Sequence, residues 1–195
     1  LDRAVNYNNI FSLDRFGKDD LVEGGGSITL GLEYSNKNKN NKEIINLALA
    51  NVFRPSKNDD LPINNSIGEK RSDIIGRVNF IPSNNFNLDY EFSLDNNLKD
   101  SNLNLIRTNF SVNNFVTSFE FLEEDNLMGN KSYVSNKTTF NFDNNNSISF
   151  KTNKDLDKNI TEYYNLIYEY KNDCLVAGVE YNKSNYADGE LKPEE

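Results

Sequence analysis

The chain has 195 residues, a formal net charge of −9 and a mean hydropathy of −0.71. It contains no His and a single Cys, which excludes most zinc sites and His-dependent catalytic triads. The acidic balance disfavours nucleic-acid binding, because phosphate neutralisation needs clustered Lys and Arg. No run of about 18 apolar residues is present, so the sequence predicts no membrane-spanning helix.

Apolar and polar residues alternate with a period of two along most of the chain, which is the pattern of strands with one apolar and one polar face. Residues 86–95 are the clearest case, with apolar or aromatic residues at every even position and polar or acidic residues at every odd one. In chain order the predicted strands are 26–35, 42–53, 74–82, 86–95, 102–112, 115–123, 132–142, 147–153, 161–170 and 174–182, with 1–7 as a candidate eleventh. The pattern needs no helix.

One of the predicted strands changes phase part-way along its length. Residues 102–112 begin with one alternation and end with the other. A β-bulge near Leu105 and Ile106 would explain the change, because an extra residue shifts every following side chain to the opposite face.

The connections between the predicted strands alternate between short and long. Asn, Asp, Ser and Lys, which tolerate tight turns, dominate the short ones. The short connections are 36–41, 83–85, 113–114, 143–146 and 171–173, and the long ones are 8–25, 54–73, 96–101, 124–131, 154–160 and 183–195. In an antiparallel up-and-down meander all short turns then lie at one end of the sheet, an asymmetry typical of bacterial outer-membrane barrels.

A soluble β-sandwich also alternates apolar and polar residues, so the pattern alone leaves two architectures open. Predicted strands of mostly nine to twelve residues match a tilted membrane-crossing strand and exceed the usual globular length. Aromatic residues near strand ends suit the interfacial girdles of a membrane barrel. These residues are Tyr34, Phe53, Phe86, Phe115, Phe142, Tyr170 and Tyr181. We therefore expect an all-β chain that forms part of a large transmembrane outer-membrane β-barrel.

Three stretches resemble the LptD family of LPS-assembly outer-membrane proteins. Residues 9–16, NIFSLDRF, look like the family's N-[IL]-F-S-L-D-R-F loop. Residues 72–77, SDIIGR, are similar to its S-D-[IV]-V-G-R strand. Residues 168–193 resemble its penultimate strand and last loop.

The resemblance implies a non-enzymatic role in lipopolysaccharide (LPS) transport, with no catalytic residue, metal or cofactor. Family members form a large barrel with an N-terminal periplasmic domain and hold an LptE-type lipoprotein plug. LPS would arrive over periplasmic bridge proteins and enter the outer leaflet between the first and last strands. Residues 1–195 would then be the C-terminal part of the barrel, with the final strand, earlier strands and periplasmic domain outside the chain.

Cys174 follows a short predicted turn, which is expected to lie at the periplasmic rim. Its parity places it on the same face as Glu180, towards the barrel lumen. The family resemblance implies an interdomain disulfide with a cysteine of the N-terminal domain, and the oxidising periplasm would preserve such a bond. A small buried thiol without a partner is the alternative.

Two further groups of residues are candidates for a structural role. An Arg–Asp pair can pin a long loop over or into the barrel, and neighbouring aromatics favour an ordered loop. The ordered-loop candidates are Phe11, Asp14, Arg15, Phe16 and Arg71. Polar residues on the non-lipid face would line a wet lumen, as a path for LPS sugars or simply as a hydrated interior. The lumen-lining candidates are Arg77, Asn87, Asp89, Glu91, Glu120, Lys151 and Glu169.

Two other functions share part of this pattern. A general diffusion porin would show the same periodicity, and its isolated form would conduct solutes. A soluble sandwich or adhesin would fold without detergent and would bury its apolar faces against each other.

Overall fold

The computed structural model of the protein describes residues 5–13, 15, 23–61, 66–125 and 130–185. They form one ten-stranded antiparallel sheet in which every strand pairs with the next along the chain. The strands are β1 (Ile28–Lys37), β2 (Glu43–Phe53), β3 (Ile74–Ser83), β4 (Phe86–Leu94), β5 (Ser101–Val112), β6 (Phe115–Glu124), β7 (Lys131–Asn141), β8 (Asn146–Asp155), β9 (Ile160–Lys171) and β10 (Val176–Ser184). Within these described ranges, no helix is long and apolar enough to cross a membrane.

The predicted all-β meander of ten strands is confirmed. The candidate eleventh strand is not: residues 5–7 lie outside any strand, and residues 1–4 lie outside the described part of the chain. Residues 174 and 175 belong to the turn before β10 and not to the strand.

The register separates the side chains of the sheet into two faces, because directly opposed residues point to the same side. Leu32 opposes Leu49, and further along the sheet Val78 opposes Tyr90, which in turn opposes Ile106. We call this side the apolar face. The other side, on which Glu91 opposes Arg77, is called the polar face.

The apolar face is not covered by any described part of the chain. Leu49 in β2 is 43% exposed and Phe119 in β6 is 50% exposed, although both strands have a neighbouring strand on each side. A soluble sandwich would bury such residues against a second layer, which the described residues do not provide. An exposed apolar face is what a lipid-facing wall requires.

The predicted bulge at Leu105 and Ile106 is wrong. β5 pairs with β6 in unbroken register from Leu103 to Val112, and the only irregularity of β5 lies at its start, opposite Leu94 of β4. The change of phase arises because Leu103 and Leu105 lie on the polar face, where Leu103 is buried.

The alternation of short and long connections breaks once. The connection between β8 and β9 spans only 156–159, as short as 142–145 at the opposite end of the sheet. Lys154 and Asp155 extend β8 by pairing with Thr161 and Ile160, past a shift in register. Elsewhere 84–85 and 113–114 are two-residue turns, and 54–73 is the longest connection between strands.

The buried core lies between the polar face and two long segments that fold onto it. Val5 and Ile10 come from the segment before β1, and Leu61 and Ile67 come from the connection between β2 and β3. They pack against strand residues of the polar face, namely Ala50, Val52 and Ile75. We call the described residues of 5–24 and 54–73 together the cap.

Candidate functional site

The register places all of the lumen-lining candidates on the polar face. Arg77 opposes Glu91, Lys151 opposes Asn165, and Glu169 opposes Ser147. The pairing of β4, β5 and β6 places the remaining three, Asn87, Asp89 and Glu120, on the same face. Their contact with an aqueous channel stays a prediction.

Arg107 links several of these acidic residues across three strands of the polar face. Its Nε donates to Glu120 Oε2 at 2.9 Å, and its Nη1 donates to Glu91 Oε1 at 3.2 Å. The same Nη1 lies 3.6 Å from Asp89 Oδ1, and the Tyr133 hydroxyl donates to Glu120 Oε1 at 2.6 Å. The result is a hydrogen-bonded ionic network from β4 to β7.

Sequence reasoning missed Arg107 and Tyr133. Both lie in predicted strands that alternate poorly, so their parity was not informative. The available signal was that Arg107 lies opposite Asp89 and Glu120, and that Tyr133, opposite Leu122, lies diagonal to Glu120. Both positions can be read only once the register is known.

A polar cavity of 610 Å³ opens on the same face at the end where the long connections lie. Tyr133 and Tyr163 contribute aromatic rings, and Glu120 and Asn153 contribute hydrogen-bonding groups. This mixture suits hydroxyl-rich or hydrated ligands better than an acyl chain, because buried apolar walls are absent.

The cap is held by a buried ionic network that joins its two segments. Glu23 Oε1 accepts hydrogen bonds from Arg15 Nη1 and from Arg54 Nη2. The side chains of Arg15, Arg54 and Glu23 are only 6%, 1% and 5% exposed. Arg15 also donates from Nε to the Ile10 carbonyl at 2.7 Å and from Nη2 to Thr29 Oγ1 at 2.6 Å, which attaches the cap to β1.

The predicted Arg–Asp pinning of this loop stays a prediction, because Asp14 and Phe16 lie outside the described residues. Among the described residues, Arg15 forms its ion pair with Glu23. Sequence reasoning missed Glu23 and gave Arg54 no role, because Glu23 and Arg54 are 31 residues apart and no local pattern joins them.

Aromatic contacts seat the segment before β1 on the polar face. The Phe11 ring lies over Gly31 so closely that a Cβ atom at that glycine would overlap it. Phe11 also meets the Tyr7 ring edge-on at 5.6 Å, and Tyr7 lies under the Arg77 guanidinium at 5.2 Å. Arg77 Nη1 donates to Asn8 Oδ1 at 3.0 Å, so a predicted lumen residue contacts the cap directly.

Arg71 stands apart from the other loop candidates. Its guanidinium lies 5.5 Å from the centre of the Phe53 ring, which belongs to the apolar face. Its backbone carbonyl accepts a hydrogen bond from Asn96 Nδ2 at 3.0 Å. The structure therefore does not bring Arg71 together with Arg15.

Comparison with protein families decides what kind of molecule this two-faced sheet belongs to. The family model described as LptD, LPS transport system D, matches residues 3–127. This match covers more than half of the chain and includes the cap, β1 to β6 and most of the Arg107 network. The chain belongs to the LptD family. A search of curated proteins found no match.

Membership places this LptD-family chain in LPS transport at the outer membrane, in a family of transport and assembly proteins. Two of the three resembling stretches, 9–16 and 72–77, lie within the matched residues. The third, 168–193, lies outside the match.

Cys174 of the LptD-family chain is exposed and lies in the turn between β9 and β10. Asn172 Oδ1 accepts hydrogen bonds from the backbone amides of Cys174 and Leu175 at 3.0 and 2.8 Å. Because Cys174 precedes β10, strand alternation does not assign it to a face. It is the only cysteine of the 195 residues, so a disulfide would need a cysteine outside them.

The described part of the LptD-family chain holds no cluster of three or more Cys, Asp or Glu side chains that could bind a metal. Outside the strands, Lys57 Nζ lies 2.9 Å from Glu69 Oε1 and 3.2 Å from Asp59 Oδ1. These contacts raise the pKa of Lys57, with the hydrogen bond to Glu69 as the largest cause. They join two parts of the connection 54–73.

Proposed function

We propose that this chain is the C-terminal part of the wall of an LptD-type barrel, which inserts LPS into the outer leaflet. The observation that carries the proposal is the two-faced sheet in a member of this family. The apolar face would contact hydrocarbon, and the polar face would line the hydrated path of the LPS sugars.

The ends of the sheet suggest an orientation in the membrane. The short turns, including the one with Cys174, would lie in the periplasm, and the cap would lie at the outer surface. The cap is supported by its own core and by the Glu23 network, and would close part of the outer mouth. An LptE-type lipoprotein would fill the remaining lumen, and periplasmic bridge proteins would deliver LPS.

Depletion of the full-length protein tests the transport function. We expect newly made LPS to disappear from the cell surface and to accumulate inside the envelope, while other barrels continue to assemble. A general porin would instead leave surface LPS unchanged, and the purified protein would conduct small solutes. That pair of results would refute the proposal.

Adjacent residues of β8 test which face meets lipid. Phe150 lies on the apolar face near the middle of the strand, and Ser149 lies on the polar face. Phe150→Lys should lower the stability of the folded barrel by about 2–4 kcal/mol, the usual cost of a cation at the bilayer midplane. Ser149→Lys is the matched control and should cost far less, because water would solvate the ammonium. Equal effects on heat-resistant folding in detergent would contradict the assignment.

Cys174 would form the interdomain disulfide that the family resemblance implies. Its exposure in a turn leaves the Sγ atom accessible to a partner, and a periplasmic location would keep the bond oxidised. Mass mapping of the full-length protein under non-reducing conditions should find Cys174 linked to another cysteine. Quantitative alkylation of Cys174 without prior reduction would end this part of the proposal.

A further inference from the structure

A groove of 380 Å³ crosses the apolar face at the end where the cap lies. Its floor is made by leucines of the first two strands, and its upper wall by aromatic and polar residues near the strand ends. The lining residues are Leu30, Gly31, Leu32, Leu49, Ala50, Asn51, Phe53, Arg71, Ile74 and Asn96. The groove therefore has an apolar floor, and it carries one cation and two side-chain amides at its outer end.

Arg71 is the cation, and its guanidinium has no acidic partner among the described residues. The other described arginines behave differently: Arg15, Arg54 and Arg107 bond to carboxylates, and Arg77 donates to Asn8. Arg71 alone of this group donates no hydrogen bond from its guanidinium and instead lies over the Phe53 ring. Five N–H donors thus remain available at the edge of an apolar groove.

The backbone that carries Arg71 is held in place. Phe53 and Arg71 form an isolated antiparallel bridge, and Asn96 donates to the Arg71 carbonyl. Asn51 Nδ2 donates to the carbonyls of Ser72 and Asp73 at 2.7 and 3.1 Å. The cation is therefore fixed to the sheet beside the groove and does not sit on a free loop tip.

We propose that this groove binds one phosphate-bearing lipid of the outer leaflet. Its acyl chain would lie along Leu30, Leu32 and Leu49, and its phosphate would accept a bidentate hydrogen bond from Arg71. The charge and the shape favour this occupant, because a guanidinium fork matches phosphate geometry and the leucines offer only apolar contact. The inference rests on the proposed function, which supplies the hydrocarbon on this face.

Site-specific photocrosslinking in the full-length protein tests the inference. Benzoylphenylalanine would replace Leu32 in the groove or, as a matched control on the same face, Leu166 of β9. Each protein would be placed in dodecyl maltoside micelles, which carry no phosphate to compete for Arg71, with trace lipid A that is either diphosphorylated or fully dephosphorylated. At position 32 we expect the diphosphorylated form to crosslink with about tenfold higher apparent affinity, as for a charged hydrogen bond.

Arg71→Gln should abolish that preference at position 32 and leave crosslinking at position 166 unchanged. No preference for the phosphorylated lipid in the protein with native Arg71, or a preference that survives Arg71→Gln, would overturn the inference. Failure of both positions to crosslink any lipid would instead refute the lipid-facing assignment of the apolar face and with it the proposed function.

Discussion

The buried carboxylate of Glu23 offers the sharpest test of how the cap is held. Glu23→Gln keeps the shape of the side chain and one carbonyl oxygen but removes the negative charge that two guanidinium groups share. Because Arg15 and Arg54 are almost fully buried, water cannot replace the lost charge. Breaking a buried ion pair at one partner costs about 3–5 kcal/mol. We take the lower end of this range because the amide oxygen still accepts a hydrogen bond. Docking of the cap on the polar face should therefore weaken by about 3 kcal/mol, which lowers the ratio of docked to undocked cap roughly 150-fold.

Amide hydrogen exchange on the full-length protein in detergent measures this loss locally. Protection should fall in residues 5–13 and 54–61, while the β5–β9 region keeps its exchange rates. Glu43→Gln is the matched control, because that half-buried carboxylate lies outside the cap and accepts a hydrogen bond only from Ser35 Oγ. Unchanged protection of the cap in Glu23→Gln, or an equal loss in Glu43→Gln, would refute the role assigned to the buried network.

Three further predictions concern backbone geometry and pH. Gly31→Val should displace the Phe11 ring and weaken cap docking by about 1–3 kcal/mol, the usual cost of overpacking; a cap with unaltered hydrogen exchange would contradict this. Leu98 adopts a φ of 57°, a left-handed backbone conformation that favours Asn or Gly. Leu98→Asn should therefore stabilise the folded protein by about 1 kcal/mol in denaturant titrations, and an unchanged midpoint of unfolding would contradict strain at this site. The backbone amide of Asn145 lowers the pKa of Asp143 in the β7–β8 turn, so this carboxylate stabilises the turn above its ordinary pKa and loses the effect as pH falls through the lowered value. Carboxyl-carbon NMR should show Asp143 titrating below the ordinary Asp value, and an ordinary or raised midpoint would contradict the hydrogen-bonded turn.

The strands and their two faces could be predicted from the sequence because they depend on local pattern. In residues 86–95 successive side chains are alternately apolar and polar. A strand is the only regular structure that places these two sets on opposite faces. The turns are equally local, since Asn and Asp tolerate the required backbone, as Asn113 does with a φ of 50°. The family motif in residues 9–16 is also local, and the family match confirms what it indicated.

The partners of individual charges were decided only by the tertiary structure. Arg107 meets Glu91 and Glu120 because the register of β4, β5 and β6 brings them side by side, and a shift of one residue would separate them. Glu23 joins Arg15 to Arg54 because the cap folds back onto the polar face.

Leu103 and Leu105 show why even a good local pattern has limits. Both lie on the polar face, at the end of the sheet where the cap packs, and Leu103 is buried there. The broken alternation therefore reflects burial of part of this face and not a backbone irregularity. Alternation reports which side chains share a face, whereas burial depends on what distant segments of the chain place over that face. For this protein the sequence determines a two-faced meander of the LptD family, and the docking of its long connections determines which part of the polar face is covered.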